Sequence, residues 1–207
     1  PRYPHTQGRA GRPRHDGQVT DSAHAQDVRY QEARRLYFRY EGSSFHLERD
    51  GQDFGQYGVP AGVERRWAAE LKHERLAALS EPANWPVIWF LRHHGYLGHL
   101  SLLVATPPRG RLHERIAYLE ELLGYVDACA DPRWGRTSPA YDPAELAAAA
   151  GHVAAQAELL IPAARSDGTR QRIQRVIAGA GARRAVWHAT GRLWVWDPPT
   201  GTASPQR

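Results

Sequence analysis

The chain has 207 residues, of which 42% are hydrophobic and 24% are charged, and a formal net charge of +5. This length suits one domain, and this ordinary composition excludes a fibrous repeat or a wholly disordered protein. The single cysteine, Cys129, excludes an internal disulfide and any multi-cysteine metal site, so we expect a reducing, cytoplasmic environment.

The N-terminal stretch contains little that could be buried. Residues 1–18 are mostly proline, glycine, arginine and histidine, and we predict a disordered arm over residues 1–29. Because the chain contains no methionine, two interpretations of the arm stay open. An initiator methionine is removed before Pro1, or translation starts at Val19 and residues 1–18 are an upstream extension. The basic charge is concentrated at the two ends, whereas residues 19–166 are slightly acidic.

A β-hairpin is predicted over residues 34–49. Leu36 and Phe38 alternate with arginine and tyrosine, a Gly-Ser-Ser turn follows at 42–44, and the alternation resumes towards Leu47. Two strands alone are marginal in water, so the hairpin should pack against the helices that follow.

The rest of the chain has helical periodicity. The strongest signal lies over 109–130, where apolar residues recur in steps of four and three. Asp142, Pro143 and Glu145 stand at the cap, first and third positions of a second long helix, whose alanine-rich stripe favours antiparallel packing on the first. Further helices are predicted over about 60–80, 99–105 and 167–181.

These elements together define the predicted fold class. We predict a predominantly helical α+β domain over residues 30–180, in which the hairpin packs on a bundle of about four to six helices. A loosely structured tail is expected over 181–207. No apolar run approaches the roughly 20 residues of a membrane span, so we predict no membrane segment.

A histidine cluster is the most conspicuous candidate for chemistry. His93, His94 and His99 lie close together in sequence, and His113 and Glu114 follow. Imidazole and carboxylate groups are zinc ligands, but His94 and His99 are separated by two glycines and lack the i, i+4 spacing of ligands on one helix. We expect no metal and no other cofactor. A metal-dependent hydrolase is left as an alternative function, with weak candidate ligands His94, His99, His113 and Glu114.

No set of residues predicts another kind of catalysis. The serines match neither a nucleophile elbow nor a Ser/His/Asp order, and the adjacent Glu120 and Glu121 are typical of a solvated helix face. Cys129 lies near the end of a predicted helix, where the helix dipole disfavours a thiolate. We therefore expect a protein without catalytic activity.

Nucleic-acid binding is the second alternative. Arginines near the C-terminus could contact phosphates, and a neighbouring tryptophan could stack on unpaired bases. The candidate residues are Arg170, Arg172, Arg175, Arg183, Arg184 and Trp187. The same arginines also fit the polar face of an amphipathic helix, so this function is not favoured.

The favoured function is the binding of another protein. Most aromatic residues should lie in the core, but tryptophan, tyrosine and arginine also supply most of the binding energy at interfaces. We predict a small cytoplasmic, non-catalytic protein-binding or regulatory module. The candidate partner-binding residues are Tyr37, Arg39, Trp85, Trp89 and Tyr96.

Overall fold

A computed structural model describes residues 16–131, 133, 141–190, 195–196 and 203–204, and the side chains of 28–131, 133 and 141–186. The helices are α1 (Asp16–Arg39), α2 (Ser44–Arg49), α3 (Ala61–Ala77), α4 (Trp85–His93), α5 (Leu100–Ala105), α6 (Leu112–Ala130), α7 (Pro143–Glu158) and α8 (Asp167–Thr190). Short 3-10 turns cover Phe54–Tyr57, Ala78–Ser80 and Ile161–Ala163. Two-residue strands β1 (Val195–Trp196) and β2 (Ala203–Ser204) pair antiparallel. Residues 1–15 of the expected N-terminal arm lie outside the described residues.

The predicted hairpin over 34–49 is wrong, and so is the α+β class. Residues 34–39 belong to α1 and residues 44–49 to α2, so the chain is helical, with the β1/β2 pair as the only strands in the described ranges. Ala33 and Tyr37, four residues apart, are both buried, which is the spacing of one helix face.

The connection between α1 and α2 is a helix-to-helix turn. Glu41 and Gly42 have positive φ angles of 54° and 69°, a left-handed pair that follows the end of α1. Ser43 then caps α2, because its hydroxyl accepts a hydrogen bond from the backbone N–H of His46 at 3.3 Å. The Gly-Ser-Ser sequence is therefore a helix end and a helix start.

The chain divides into two compact units, one up to Leu71 and the other from Lys72, and we describe each by itself. The predicted domain boundaries at residues 30 and 180 stay a prediction. In the first unit the ring of Tyr37 packs 5.8 Å from that of Trp67 and 6.0 Å from that of Phe54. Tyr37 and Trp67 are therefore buried against each other, and the half-buried Phe54 packs on Tyr37.

The second unit is built around α6, which contacts α4, α5, α7 and α8. The helix predicted over 109–130 is confirmed over Leu112–Ala130, and its apolar stripe is buried from Ile116 onward. The predicted cap of α7 is also confirmed. Asp142 Oδ1 accepts from the N–H of Ala144 at 2.8 Å, and Glu145 Oε2 accepts from the N–H of Asp142 at 3.2 Å.

Helix α7 packs on α6, as its alanine stripe predicts, and even more extensively on α8. The α7/α8 pair is antiparallel, since Arg184 near the end of α8 lies beside Ala144 and Gly151 of α7. The helix predicted over 167–181 continues to Thr190. Small side chains allow this close approach.

One helical segment of the described chain, Pro143–Ala163, is long and apolar enough to cross a membrane by length and composition alone, with a mean hydropathy of 1.2. It comprises α7, whose Leu146, Ala150 and Val153 are fully buried in the second unit. A core helix has the same properties, so the segment is weak support for a membrane span.

Asn84 is the buried polar side chain of the described residues. Its Nδ2 donates to the carbonyl oxygens of Leu79 at 3.1 Å and Pro107 at 3.2 Å, and its Oδ1 accepts from the N–H of Arg109 at 3.2 Å. The side chain therefore joins the segment before α4 to the segment before α6.

We expect Asn84→Ala to lower the free energy of unfolding by about 2–4 kcal/mol, because it leaves a backbone donor and two carbonyls without their partner. Ser80→Ala is the control, since the Ser80 hydroxyl makes one exposed bond to the Ala77 carbonyl and its loss should cost less than about 0.5 kcal/mol. Urea unfolding of both variants tests this, and equal stabilities would contradict it.

Candidate functional site

A cavity of about 500 Å³, which we call the acidic cleft, opens in the first unit. It is bounded by Tyr37 at the end of α1, by Leu47 and Glu48 of α2, by the segment 51–55, and by Glu64 of α3. Large concave sites with a few polar groups are the usual place for ligands. The acidic cleft is therefore the strongest candidate site in the first unit.

Glycines shape the acidic cleft. A Cβ on Gly42 would lie 2.7 Å from the ring of Tyr37, so only glycine lets that ring lie against the backbone. Gly51 has a φ of 69° and follows α2, and the N–H of Gln52 then bonds back to the carbonyl of Leu47 at 2.8 Å. Asp53 and Phe54, which follow this turn, line the same cavity as Tyr37.

All the charged side chains that line the acidic cleft among the described residues are negative. Glu48, Asp53 and Glu64 are exposed carboxylates of its wall, and no lysine, arginine or histidine lines it among the described residues. Phe45, on α2 between the lining residues Ser44 and Leu47, does not itself line the cavity and is 67% exposed. The rings of Tyr37 and Phe54 line the same cavity as these carboxylates, and this combination suits a ligand that is both cationic and partly apolar.

The structure divides the predicted partner-binding residues between the two units. Tyr37 is buried and lines the acidic cleft, whereas Arg39 is exposed and lies over the ring of Tyr40 at 5.6 Å. Trp85, Trp89 and Tyr96 are half-buried in the second unit. Only Tyr37 therefore lies in the acidic cleft.

Sequence reasoning missed the other residues of the acidic cleft. Glu48, Asp53, Phe54 and Glu64 are spread along the chain and match no motif. The available signal was the spacing of the glycines at 51, 55 and 58, which predicted a break in regular structure without saying what the break encloses.

The histidines near the end of α4 make local contacts in the second unit. His93 stacks on Trp89 at 4.1 Å, and its Nδ1 lies 3.1 Å from the Trp89 carbonyl oxygen. His94 packs on the ring of Phe90 at 4.4 Å. The backbone N–H of His99 donates to the Tyr125 hydroxyl at 3.1 Å.

The remaining weak candidates for metal ligands lie at the start of α6. Nε2 of His113 is 4.0 Å from Glu114 Oε1, and the other carboxylate oxygen accepts from the N–H of Arg111 at 2.5 Å. Glu114 thus caps the helix. Within the described ranges no group of three or more His, Cys, Asp or Glu residues is placed to hold a metal ion.

The only cysteine is held in its thiol form. Cys129 is buried in α6, its Sγ lies 3.7 Å from the carbonyl oxygen of Leu97, and burial raises the pKa of the thiol to about 12. A thiolate is the reactive form of cysteine, so this side chain is not a nucleophile at neutral pH.

The candidate nucleic-acid face is partly neutralised by ion pairs. Arg172 binds Glu120 through Nε and a terminal nitrogen, and that hydrogen bond raises the pKa of Arg172. Arg183 binds both carboxylate oxygens of Asp127, at 2.5 and 2.6 Å. Arg170 pairs with Asp167 at 3.0 Å. Two of these arginines therefore attach α8 to α6.

The other candidate residues for nucleic-acid binding are not in these ion pairs. Arg175 and Arg184 are exposed, while the side chain of Trp187 lies outside the described residues. Nucleic-acid binding through this region stays a prediction.

The chain matches no protein-family model, no curated protein and no solved structure. The function proposed below is therefore argued from geometry and charge.

We expect Gly42→Ala to destabilise the protein more than Gly51→Ala. Both glycines have a φ of 69°, where alanine costs about 1 kcal/mol, but only at Gly42 does the new methyl group collide with Tyr37. Overpacking adds about 1–3 kcal/mol. Urea unfolding followed by circular dichroism measures both, and equal losses would show that Tyr37 does not lie against Gly42.

We expect Arg183→Gln to lower the free energy of unfolding by about 1 kcal/mol, because it removes a bidentate, partly buried ion pair with Asp127. Arg175→Gln removes the same charge from an exposed position of the same helix and should cost less than about 0.5 kcal/mol. Thermal unfolding of the two variants checks the difference, and an equal effect would contradict the pairing.

Proposed function

We propose that this protein is a non-catalytic binding module whose acidic cleft takes a basic segment of another protein. The observation that supports the proposal is one cavity that combines two aromatic rings and three exposed carboxylates, with no cationic side chain among the described residues that line it. A cytoplasmic location belongs to the same proposal, since the free thiol of Cys129 is compatible with a reducing compartment.

The charges indicate what kind of partner the acidic cleft would take. Glu48, Asp53 and Glu64 carry the same charge around one cavity, so a lysine or arginine side chain would be attracted to it. The carboxylates are exposed, so their attraction should act on the association rate and fall with salt. An acidic substrate would be repelled from the same surface.

The apolar surface indicates that a protein segment suits the acidic cleft better than a small cation. The rings of Tyr37 and Phe54 lie 6.0 Å apart in its wall, and the exposed Phe45 follows the lining residue Ser44 in α2. Arginine and lysine carry an apolar stem below the charge, so one side chain could contact both the rings and the carboxylates. A residue beside it in the partner would cover Phe45.

A random peptide library displayed on phage tests this function. We expect selection on the protein to enrich sequences that contain arginine or lysine next to an apolar residue. A synthetic peptide of the enriched sequence should lose about tenfold in affinity for the variant E48Q/D53N/E64Q, which corresponds to about 1.4 kcal/mol. Phe45→Ser should weaken binding by a similar factor without changing the salt dependence.

The control variant is E74Q/E81Q/E158Q. It removes the same number of negative charges from exposed residues that make no ion pair among the described residues. If it weakened binding as much as the cleft variant does, the attraction would be a property of net charge, and the proposal would fail. Selection of sequences without basic residues would also overturn it.

A further inference from the structure

A basic segment of the chain itself precedes α1. Residues 1–15, which we call the arginine segment, contain Arg2, Arg9, Arg12 and Arg14 and no aspartate or glutamate. These residues lie outside the described part of the chain, so their sequence and their attachment to Asp16 define what they can reach. The arginine segment has the positive charge that the acidic cleft should attract, and it is joined directly to the helix whose far end contributes to that cleft.

Helix α1 sets the distance that the arginine segment must cover to enter the acidic cleft. The segment joins α1 at Asp16, whereas the cleft residue Tyr37 lies near the other end of the helix. At about 1.5 Å per residue, the helix from Asp16 to Tyr37 is about 32 Å long. An extended chain covers about 3.3–3.6 Å per residue, so about ten residues are needed to return along α1 to the level of Tyr37.

Arg2 fulfils this condition, and the arginines close to α1 do not. The backbone between Arg2 and Asp16 can extend to about 46–50 Å, which exceeds the length of α1 up to Tyr37. Arg12 stays within about 14 Å of the start of α1, and Arg14 stays closer still. The backbone of Arg9 falls short of the level of Tyr37 even when it is fully extended. Arg2 is therefore the arginine that can enter the acidic cleft with slack in the connecting chain.

The residues around Arg2 match the composition of the acidic cleft. Arg2 is followed by Tyr3, so it is the arginine of the segment that stands beside an aromatic residue. The cleft offers three carboxylates to a guanidinium and two rings to its apolar stem. Among the described residues these carboxylates have no ion pair. Reach and composition thus favour the same arginine.

We propose that Arg2 and Tyr3 occupy the acidic cleft of their own chain and must be displaced before a basic segment of another protein can bind. This inference rests on the proposed function and adds a regulation of the same site. A short connecting chain gives Arg2 an effective concentration of about 1 mM, so a Kd of about 0.1 mM would keep the cleft about nine-tenths occupied. A competing segment would then bind about tenfold more weakly than to an empty cleft.

Fluorescence anisotropy with a labelled peptide of residues 1–8, PRYPHTQG, tests this occupant. The peptide is added to the full chain and to its full-length variant Arg2→Gln. We expect the peptide to bind Arg2→Gln about tenfold more tightly than the unchanged chain, because the variant's own segment no longer fills the cleft. This binding should be lost when E48Q/D53N/E64Q is combined with Arg2→Gln, and a peptide in which Gln replaces Arg2 should not bind.

Arg12→Gln is the matched control. It removes the same charge from the same segment at a position that cannot reach the acidic cleft, so the labelled peptide should bind this variant as it binds the unchanged chain. Equal effects of Arg12→Gln and Arg2→Gln would overturn the proposal, because the attraction would then be one of net charge. A dimer in light scattering that dissociates in Arg2→Gln would also overturn it, because Arg2 would then fill the cleft of a second copy.

The peptide selected from the phage library separates this proposal from the proposed function. If the selected peptide requires the cleft carboxylates but the peptide of residues 1–8 binds Arg2→Gln no more tightly than the unchanged chain, Arg2 is not the occupant and the proposed function stands. If neither peptide requires the cleft carboxylates, both proposals are wrong.

Discussion

The order of the second unit depends on a single constraint, which is that α6 is covered by four other helices. A polar group buried on such a helix is costly unless it is hydrogen-bonded, and among the described side chains of α6 only Nε of Arg115 is buried without a partner. The tyrosine hydroxyls of α6 therefore donate to backbone carbonyls, Tyr118 to Leu103 at 2.8 Å and Tyr125 to Tyr96 at 2.7 Å. Its acidic residues bind arginines of α4 and α8. The two tyrosine bonds hold α5 and the segment before it, which carries His94 and His99, against α6.

The sequence predicts the parts of this arrangement that are local. The cap of α7 lies within four residues, Asp142 to Glu145, and the apolar stripe of α6 repeats within single turns, so both can be identified without knowing their neighbours. The partners of the acidic residues of α6 cannot be predicted in this way. Glu120 binds Arg172 and Asp127 binds Arg183, each far along the chain. Nothing in the spacing of either residue indicates which charge the fold will bring to it.

The predicted hairpin fails because the segment satisfies two periods at once. Leu36 and Phe38 alternate with other residues as in a strand, yet Phe38 also lies one turn from Arg34, whose guanidinium is 4.3 Å from its ring centre. Aromatic residues favour strands only when a sheet surface is there to pack on. Here the burial of Tyr37 against Trp67 favours the helix over the strand. These two residues are too far apart in sequence for a local pattern to indicate their contact.

The acidic cleft could not be predicted for a related reason. Its lining residues are separated in sequence and form no local motif, so only the folded structure brings them together. Two other acids of the first unit are paired: Glu70 with Arg34, and Asp50 with Arg49, whose hydrogen bond lowers the pKa of Asp50. The three cleft carboxylates have no ion pair among the described residues, although the chain is rich in arginine. Like charges around a cavity oppose folding, and a bound cation removes that opposition. Ligand binding should therefore stabilise this unit.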